Sequence, residues 1–287
     1  MAENTEGVAS TYEVELLFEE APTLSKAEFL AAIRAYCPGA EALDPTGDAL
    51  SLGFIHTDHP VVHEGRTLPA QTLVMAAKEP REISKGLAEA IDQSWTFEGV
   101  REVVARCRYS VLVTDLMSAG LPYRERLALF QRVLAGILDV VSPQALHWVS
   151  SRQIIAPSRF REAYKDGGSS LLFAGAINVR FFNVSESQGD MIMDTLGLTA
   201  LGLPDLQCHF RDLNPNEVAA VLYNTSNYLF GYGDVIADGH TLAGIEDESH
   251  WRCQRGDSLA SPARLVIDLD PGPPYAVGDR SSPLNII

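Results

Sequence analysis

The chain has 287 residues, 46% of them hydrophobic, and a net charge of −16. It is long enough to bury one large core or two modest ones. Its apolar runs are far shorter than the roughly 20 residues that a membrane span needs, so a soluble protein is expected. An acidic chain repels phosphate backbones and anionic lipid heads, which argues against direct binding to nucleic acid or to a membrane.

The charge is unevenly distributed along the chain. Residues 1–65 carry 12 acids and 2 bases, and residues 183–250 carry 11 acids and 1 base. Residues 66–182, between them, carry 11 acids and 15 bases. Excess carboxylates keep many proteins soluble, and they also attract basic partner proteins. Both interpretations stay open at the level of the sequence.

Strand and helix patterns alternate through the first half of the chain. Hydrophobic residues alternate with glutamates over residues 12–18, which predicts a strand with one face in water. Ser25 and Glu28 form a capping box, which predicts that a helix begins there, and Pro38-Gly39 ends it. Further strands are expected at 49–55, 71–76, 109–115 and 145–149, and helices at 83–95, 98–107, 123–141 and 158–164.

The second half contains the best-defined helix start. Asn214 is suited to cap a helix, Pro215 to occupy its first position and Glu217 to close the box, so a helix is expected from 215 to about 230. Asp238-Gly239 has the chemistry of a two-residue hairpin turn, here between strands at 234–237 and 241–245. Other strands are expected at 177–184, 191–195, 206–210 and 264–269.

These patterns predict an α+β protein with mixed, largely antiparallel sheets and helices packed on one face. We expect two α/β halves, an N-terminal one over residues 10–165 and a C-terminal one over residues 170–270. The proline-rich residues 271–287 are expected to form a loose tail.

The N-terminus lacks the basic and apolar regions of an export signal, so a cytoplasmic protein is expected. Four cysteines lie far apart without a C-x-x-C pair: Cys37, Cys107, Cys208 and Cys253. Buried thiols in a reducing compartment explain this spacing best.

A cluster of histidines could hold a metal ion. His56, His59 and His63 lie close together with Asp58 and Glu64, and imidazoles with carboxylates suit zinc or nickel. The histidines do not have helical spacing, however, and a solvated loop after a strand at 52–55 explains the cluster as well. A metal-dependent hydrolase that uses these three histidines therefore remains an alternative.

Other catalytic patterns are weak. Gly256-Asp257-Ser258-Leu259 matches the serine signature of one esterase class, but that chemistry needs a histidine downstream, and the last histidine is His250. The common glycine-rich phosphate-binding motifs are absent. We therefore expect no catalytic residue, no cofactor and no enzyme activity.

Three segments of the second half form a recognisable series: Thr195-Leu196-Gly197-Leu198, the turn and strand from Leu201 to Leu206, and the segment from Gly233 to Thr241. In their order and spacing they resemble a bacterial family known as domain of unknown function 4261. The resemblance covers roughly residues 179–245 and departs at Gln207-Cys208, where the family tends to be acidic. It implies no catalytic residues. It does imply an association with bacterial toxin and secretion genes, type VI secretion among them, and thus an immunity or effector-associated role.

The sequence thus favours a non-catalytic immunity protein that binds a cognate toxin or effector, expected to be basic, and occludes its active site. An effector adaptor or chaperone is the further alternative. Nothing in the sequence predicts the oligomeric state. The expected partner-binding residues are Asp205, Asp212, Asp234, Asp238, Glu246, Asp247, Glu248, Tyr228 and Tyr232.

Overall fold

The computed structural model describes residues 11–43, 50–185, 187, 189–246 and 248–278. The chain divides into two compact units, Met1–Gly175 (unit 1) and Ala176–Ile287 (unit 2). Each unit contains one largely antiparallel sheet with helices, which confirms the predicted α+β class and its two halves.

Unit 1 is built on a seven-stranded sheet. Its strands are β1 (Glu13–Phe18), β2 (Ala40–Leu43), β3 (Ser51–His63), β4 (Arg66–Ala76), β5 (Tyr109–Leu116), β6 (Ala145–Trp148) and β7 (Gln153–Ile155), in the order β2-β3-β4-β5-β1-β6-β7. Its helices are α1 (Lys26–Tyr36), α2 (Ala88–Asp92), α3 (Val100–Arg106), α4 (Tyr123–Val140), α5 (Pro157–Asp166) and α6 (Gly168–Leu171).

The start of α1 confirms the predicted cap. The Ser25 side chain accepts a hydrogen bond from the backbone N–H of Glu28, at 3.5 Å. Phe29 and Ile33 of α1 are fully buried, as expected for an amphipathic helix on a sheet.

Helices lie on both faces of this sheet. Neighbouring residues of a strand point to opposite faces, so Leu16 and Leu17 of β1 face opposite sides. Leu17 packs in a cluster with Ile91 of α2 and Val104 of α3. On the other face, Trp148 of β6 packs against Phe130 of α4 at a ring-centroid distance of 5.9 Å. Unit 1 therefore buries apolar side chains on both faces of its sheet, which corrects the expectation that helices pack on one face only.

Unit 2 is built on a six-stranded sheet with one long helix. Its elements are β8 (Asn178–Asn183), β9 (Met191–Leu196), β10 (Asp205–Phe210), α7 (Pro215–Tyr232), β11 (Thr241–Ala243), β12 (His250–Asp257) and β13 (Leu265–Asp270). The strand order is β11-β12-β13-β10-β9-β8, and only the β10–β13 pair among these is parallel. The last strand that the structure describes, β13, thus lies inside the sheet.

Helix α7 begins as predicted and packs on β8, β9 and β10. The Asn214 side chain accepts a hydrogen bond from the backbone N–H of Asn216, at 3.0 Å, and Pro215 takes the first helical position. Leu222 and Leu229 are among the fully buried residues of this helix. The capping residues therefore set the register of the buried face.

The predicted hairpin around Asp238-Gly239 is wrong. Residues 234–237 do not form a strand, and Gly239, with φ of 81°, turns the chain into β11 instead. Strand β11 pairs with β12, which the sequence analysis did not predict. The turn chemistry was recognised correctly, but its partner strand lies further along the chain.

All four cysteines are buried and free, which confirms the expected thiols. Burial raises the pKa of Cys107 and of Cys253 to about 11. No helix of the described ranges is long and apolar enough to cross a membrane.

Candidate functional site

The C-terminal end of α7 presents two exposed tyrosines. Tyr228 is 44% exposed and Tyr232 is 71% exposed. They are four residues apart, so they are neighbours on one face of the helix. Their ring centroids are 4.9 Å apart, with an angle of 40° between the ring planes. The pair forms a continuous aromatic surface at the end of the helix.

The loop after these tyrosines is fixed to β12 by one arginine. The Arg255 guanidinium binds both carboxylate oxygens of Asp234, one of them at 3.0 Å, and donates to the backbone oxygen of Ile236 at 2.7 Å. The backbone N–H of Arg255 donates to the Asp238 carboxylate at 2.5 Å. Bidentate pairing of this kind restrains both partners, so three points of the loop are held by a single residue.

Backbone hydrogen bonds hold the end of the same loop. The N–H of Gly239 donates to the Cys253 oxygen at 2.9 Å, and the N–H of Cys253 donates to the His240 oxygen at 2.8 Å. The loop starts at Gly233, whose φ of 85° is one that glycine adopts without strain. Residues 233–240 are therefore an ordered connection between α7 and β11.

Charge and apolar area meet at this loop. Two carboxylates, those of Asp234 and Asp238, lie around one guanidinium, which leaves one net negative charge. The hydrogen bond to Asp234 raises the pKa of Arg255 above its usual value, so its charge is permanent. Between the two acids, Val235 is 47% exposed. We name the set Tyr228, Tyr232, Asp234, Val235 and Asp238 the tyrosine surface.

Two of the predicted acidic positions lie in the β11–β12 turn. Glu246 and Glu248 are exposed there, and Asp247 lies outside the described residues. The turn precedes His250, whereas the tyrosine surface is anchored at Arg255, five residues along β12. At about 3.4 Å per residue this is a separation of about 17 Å along the strand. These glutamates therefore lie away from the tyrosine surface.

Asp212 is separated from the tyrosine surface by the length of α7. It is exposed and precedes the N-terminus of the helix, whereas Tyr232 is the last helical residue. The helix has 18 residues, so it is about 27 Å long. The predicted acidic residues thus do not form one continuous face.

Asp205 lies in the interior of unit 2, which corrects the expectation that it belongs to a binding surface. It is 0% exposed, and its carboxylate accepts hydrogen bonds from the backbone N–H of Leu198 at 3.0 Å and the Thr199 hydroxyl at 2.7 Å. The Arg264 guanidinium donates to it at 3.2 Å. Burial raises the pKa of Asp205, while Arg264 and Thr199 act in the opposite direction. The carboxylate holds the turn before β10.

The three histidines all lie on β3, so the expectation of a solvated loop is wrong. His56 is buried, with Nε2 2.9 Å from the Thr72 hydroxyl, and burial lowers its pKa to about 4. His63, at the end of the strand, is exposed. Seven residues separate the two, which corresponds to about 23 Å of extended chain. They face different surroundings.

His59 is held by two charged side chains of α4. Its Nδ1 lies 2.7 Å from the Glu125 carboxylate and its Nε2 lies 3.3 Å from the Arg132 guanidinium. In the part of the chain that the structure describes, no group of three or more His, Cys, Asp or Glu side chains is arranged to hold a metal ion.

Sequence reasoning missed the residue that organises the tyrosine surface. Arg255 lies 21 residues after Asp234 and in a segment whose charges balance. The alternation of buried Trp251 and Cys253 with more exposed neighbours was the available signal for β12. If β12 had been predicted, Arg255 could have been proposed as the residue that binds the loop before β11.

Part of unit 2 matches a known family model. Residues 194–270 match the model of a domain of unknown function, DUF4261. The matched segment runs from the middle of β9 to the end of β13 and contains the tyrosine surface. No curated protein matches the chain, and no solved structure matches it either.

Proposed function

We propose that the segment similar to DUF4261 makes unit 2 a protein-binding module, and that the tyrosine surface is where a basic partner protein docks. The observation that supports this proposal most is the exposed Tyr228–Tyr232 pair beside a loop that Arg255 holds in place. Large exposed aromatic residues are enriched at protein interfaces, where they contribute much of the binding energy.

The tyrosine surface is already ordered in the free protein, which favours tight binding of a partner. Tyrosine has few rotatable bonds, and a loop that is already ordered loses little further entropy when a partner binds. The tyrosines are followed directly by the Asp234–Arg255 pair, so an apolar contact area is bordered by fixed polar groups. A hydrophobic centre with a polar rim is the usual anatomy of an interface.

The charge of the segment favours a basic partner. Residues 183–250 carry 11 acids and 1 base. Although Asp194 and Asp205 are buried, Asp212, Glu246 and Glu248 are exposed and add to the field around unit 2. Such a field accelerates the approach of a cationic protein. A lysine or arginine of that protein can also stack on a tyrosine ring while it approaches Asp234.

In this proposal the chain is a bacterial, cytoplasmic immunity protein, and its partner is a cognate toxin or secreted effector. It would neutralise that partner by covering the active site, a mechanism that requires no catalytic residue of its own. The association with type VI secretion genes that the family resemblance implies is part of the same proposal.

The proposal is tested with the product of the neighbouring open reading frame as the partner. We expect Tyr232→Ser to weaken the complex by about 30-fold, because a central interface tyrosine contributes about 2 kcal/mol. Val62→Ser is the matched control, since Val62 is equally exposed, at 74%, and lies in unit 1. Equal affinities of the two variants would contradict the assignment of the surface.

A second measurement addresses the charge. The association rate is expected to fall as salt increases, and Asp234→Asn should reduce it more than Asp212→Asn, because Asp212 lies at the opposite end of α7. An association rate that does not respond to salt contradicts a basic partner. Rescue of growth on co-expression with the toxin separates a neutralising protein from an adaptor, which would leave the partner active.

A further inference from the structure

Unit 1 contains a pocket between α1, α4 and α5, remote in sequence from the tyrosine surface. Its volume is about 360 Å³, which lies within the range of small-molecule sites. Three aromatic rings line it, one from the end of α1 and two from α5: Tyr36, Phe160 and Tyr164. Phe160 is fully buried, so it forms the floor rather than the rim.

The three rings form one continuous aromatic wall of the pocket. The centroids of Tyr36 and Tyr164 are 5.8 Å apart with an angle of 75° between the ring planes, and those of Phe160 and Tyr164 are 6.0 Å apart. Aromatic side chains in such edge-on and tilted contacts hold one another in place. A flat apolar group can pack against the surface that these rings form together.

The one acid of the pocket is already neutralised. The Tyr36 hydroxyl donates to one oxygen of Asp139 at 2.8 Å, and Arg161 donates to the other at 3.3 Å. Arg161 also donates to the backbone oxygen of Leu138. The hydrogen bond to Asp139 raises the pKa of Tyr36, so the phenol stays protonated at neutral pH. Asp139 and Arg161 together therefore contribute no net charge.

Lys165 supplies an unbalanced positive charge at the rim. It lines the pocket, it is exposed, and within the described residues no carboxylate forms an ion pair with it. Because Lys165 and Tyr164 line the same pocket, the lysine side chain lies close to the aromatic wall. The pocket thus combines a flat apolar interior with one available cation at its opening.

We propose that this pocket binds a small aromatic carboxylate, with its ring packed against Tyr36, Phe160 and Tyr164 and its carboxylate at Lys165. An uncharged ring would lose the contact with the ammonium. A dianion would need a second available cation, and Arg161 is already bound to Asp139. This site is independent of the function proposed for unit 2.

The proposal is tested on the full chain with four probes. Benzoate and indole-3-carboxylate are the expected ligands, and benzamide and indole-3-carboxamide are their uncharged counterparts. Saturation-transfer NMR at millimolar probe concentration should show binding of both acids and much weaker binding of both amides. Failure of both acids to bind, or equal binding of acids and amides, overturns the proposal.

Substitutions of Lys165 at the rim test whether the carboxylate of the ligand binds there. Lys165→Gln should weaken binding of indole-3-carboxylate by about fivefold, the effect of losing one partly exposed ion pair, and Lys165→Arg should restore most of it. Lys85→Gln, which removes an exposed lysine outside the pocket, should leave binding unchanged. If Lys165→Gln binds the acid as well as the Lys85→Gln control does, the carboxylate does not lie at Lys165 and the proposal fails. Binding to the tyrosine-surface variant Tyr232→Ser is expected to be normal.

Discussion

Arg180 binds Asp194 through two hydrogen bonds, of 2.9 and 2.6 Å, at a place where the side chains are 0% and 1% exposed. Arg264 donates to the same aspartate at 2.6 Å and to Asp205 at 3.2 Å. Two guanidinium groups and two carboxylates are thus enclosed next to Ser261, whose backbone oxygen accepts a hydrogen bond from Arg180 at 2.8 Å. Buried charges of this kind are tolerated only when each has its partners.

The first prediction concerns this network. Asp194→Asn leaves the Arg180 and Arg264 guanidinium groups without their shared counter-charge, so the free energy of unfolding of unit 2 should fall by about 3 to 5 kcal/mol. Urea denaturation measures this change. Asp92→Asn removes the acid of an exposed pair with Arg101, and its effect should stay within about 0.5 kcal/mol. If both variants lose a similar amount of unfolding free energy, the buried network stabilises unit 2 no more than an exposed ion pair does.

The second prediction is a pH dependence that arises from His56. Its pKa is lowered to about 4 by burial, with smaller contributions from His59 and Arg132, whereas the unfolded value is about 6.5. The neutral ring therefore stabilises the fold fully above pH 6.5, and this contribution is lost as the pH falls from 6.5 towards 4. At pH 4.5 the loss from this residue should reach about 2 to 3 kcal/mol.

The measurement compares the wild type with His56→Gln, which can keep the hydrogen bond to Thr72. Unfolding free energies at pH 7 and at pH 4.5 give the acid-induced loss of each protein. The variant should lose about 2 to 3 kcal/mol less than the wild type. Identical losses would show that His56 does not titrate between these pH values.

The third prediction concerns the turn after β9. Gly197 has a φ of 132°, and a Cβ atom at this position would lie 2.1 Å from the backbone oxygen of Ala176. Gly197→Ala must therefore displace main chain as well as strain its own φ, which should cost unit 2 at least about 2 kcal/mol. Gly256→Ala is the control, because open space surrounds Gly256, and it should be neutral or slightly stabilising. Thermal unfolding of the two variants measures both changes in stability.

The fourth prediction concerns the loop of the tyrosine surface. Arg255→Gln removes the guanidinium group that binds Asp234 and the backbone oxygen of Ile236. Amide hydrogens of residues 234–240 should therefore exchange at least about tenfold faster. The change in global unfolding should be within about 1 kcal/mol, since the ion pair is partly exposed. Arg101→Gln, in another exposed pair, should leave exchange in this loop unaltered. Unchanged exchange in Arg255→Gln would show that backbone hydrogen bonds alone order the loop.

The elements that could be predicted are those with local signals. The capping side chains of Ser25 and Asn214 act within three residues of their helix starts, so α1 and α7 were predicted with their correct first turns. Strand β1 was predicted from its alternation of apolar residues and glutamates, which depends on one sheet face alone. These signals are local, so they can be recognised without knowing which distant residues pack against the element.

The parts that could not be predicted depend on long-range partners. Asp205 looks like any surface acid in a turn, and only Arg264, 59 residues later, shows that it is interior. The Asp238 turn was assigned to the preceding residues because β12, which supplies Arg255, was not recognised. The sequence indicated Tyr228 and Tyr232 as binding residues, but their exposure follows from which face of α7 the sheet covers.

The position of β13 has a consequence for how unit 2 is completed. This strand, Leu265–Asp270, is the last strand of the described residues, yet it lies between β10 and β12. Until the ribosome has synthesised β13, strands β11 and β12 have no strand that connects them to β8, β9 and β10. A chain shortened before residue 265 would lose an inner strand rather than an outer one, and β12 would then lack the neighbour that joins it to β10.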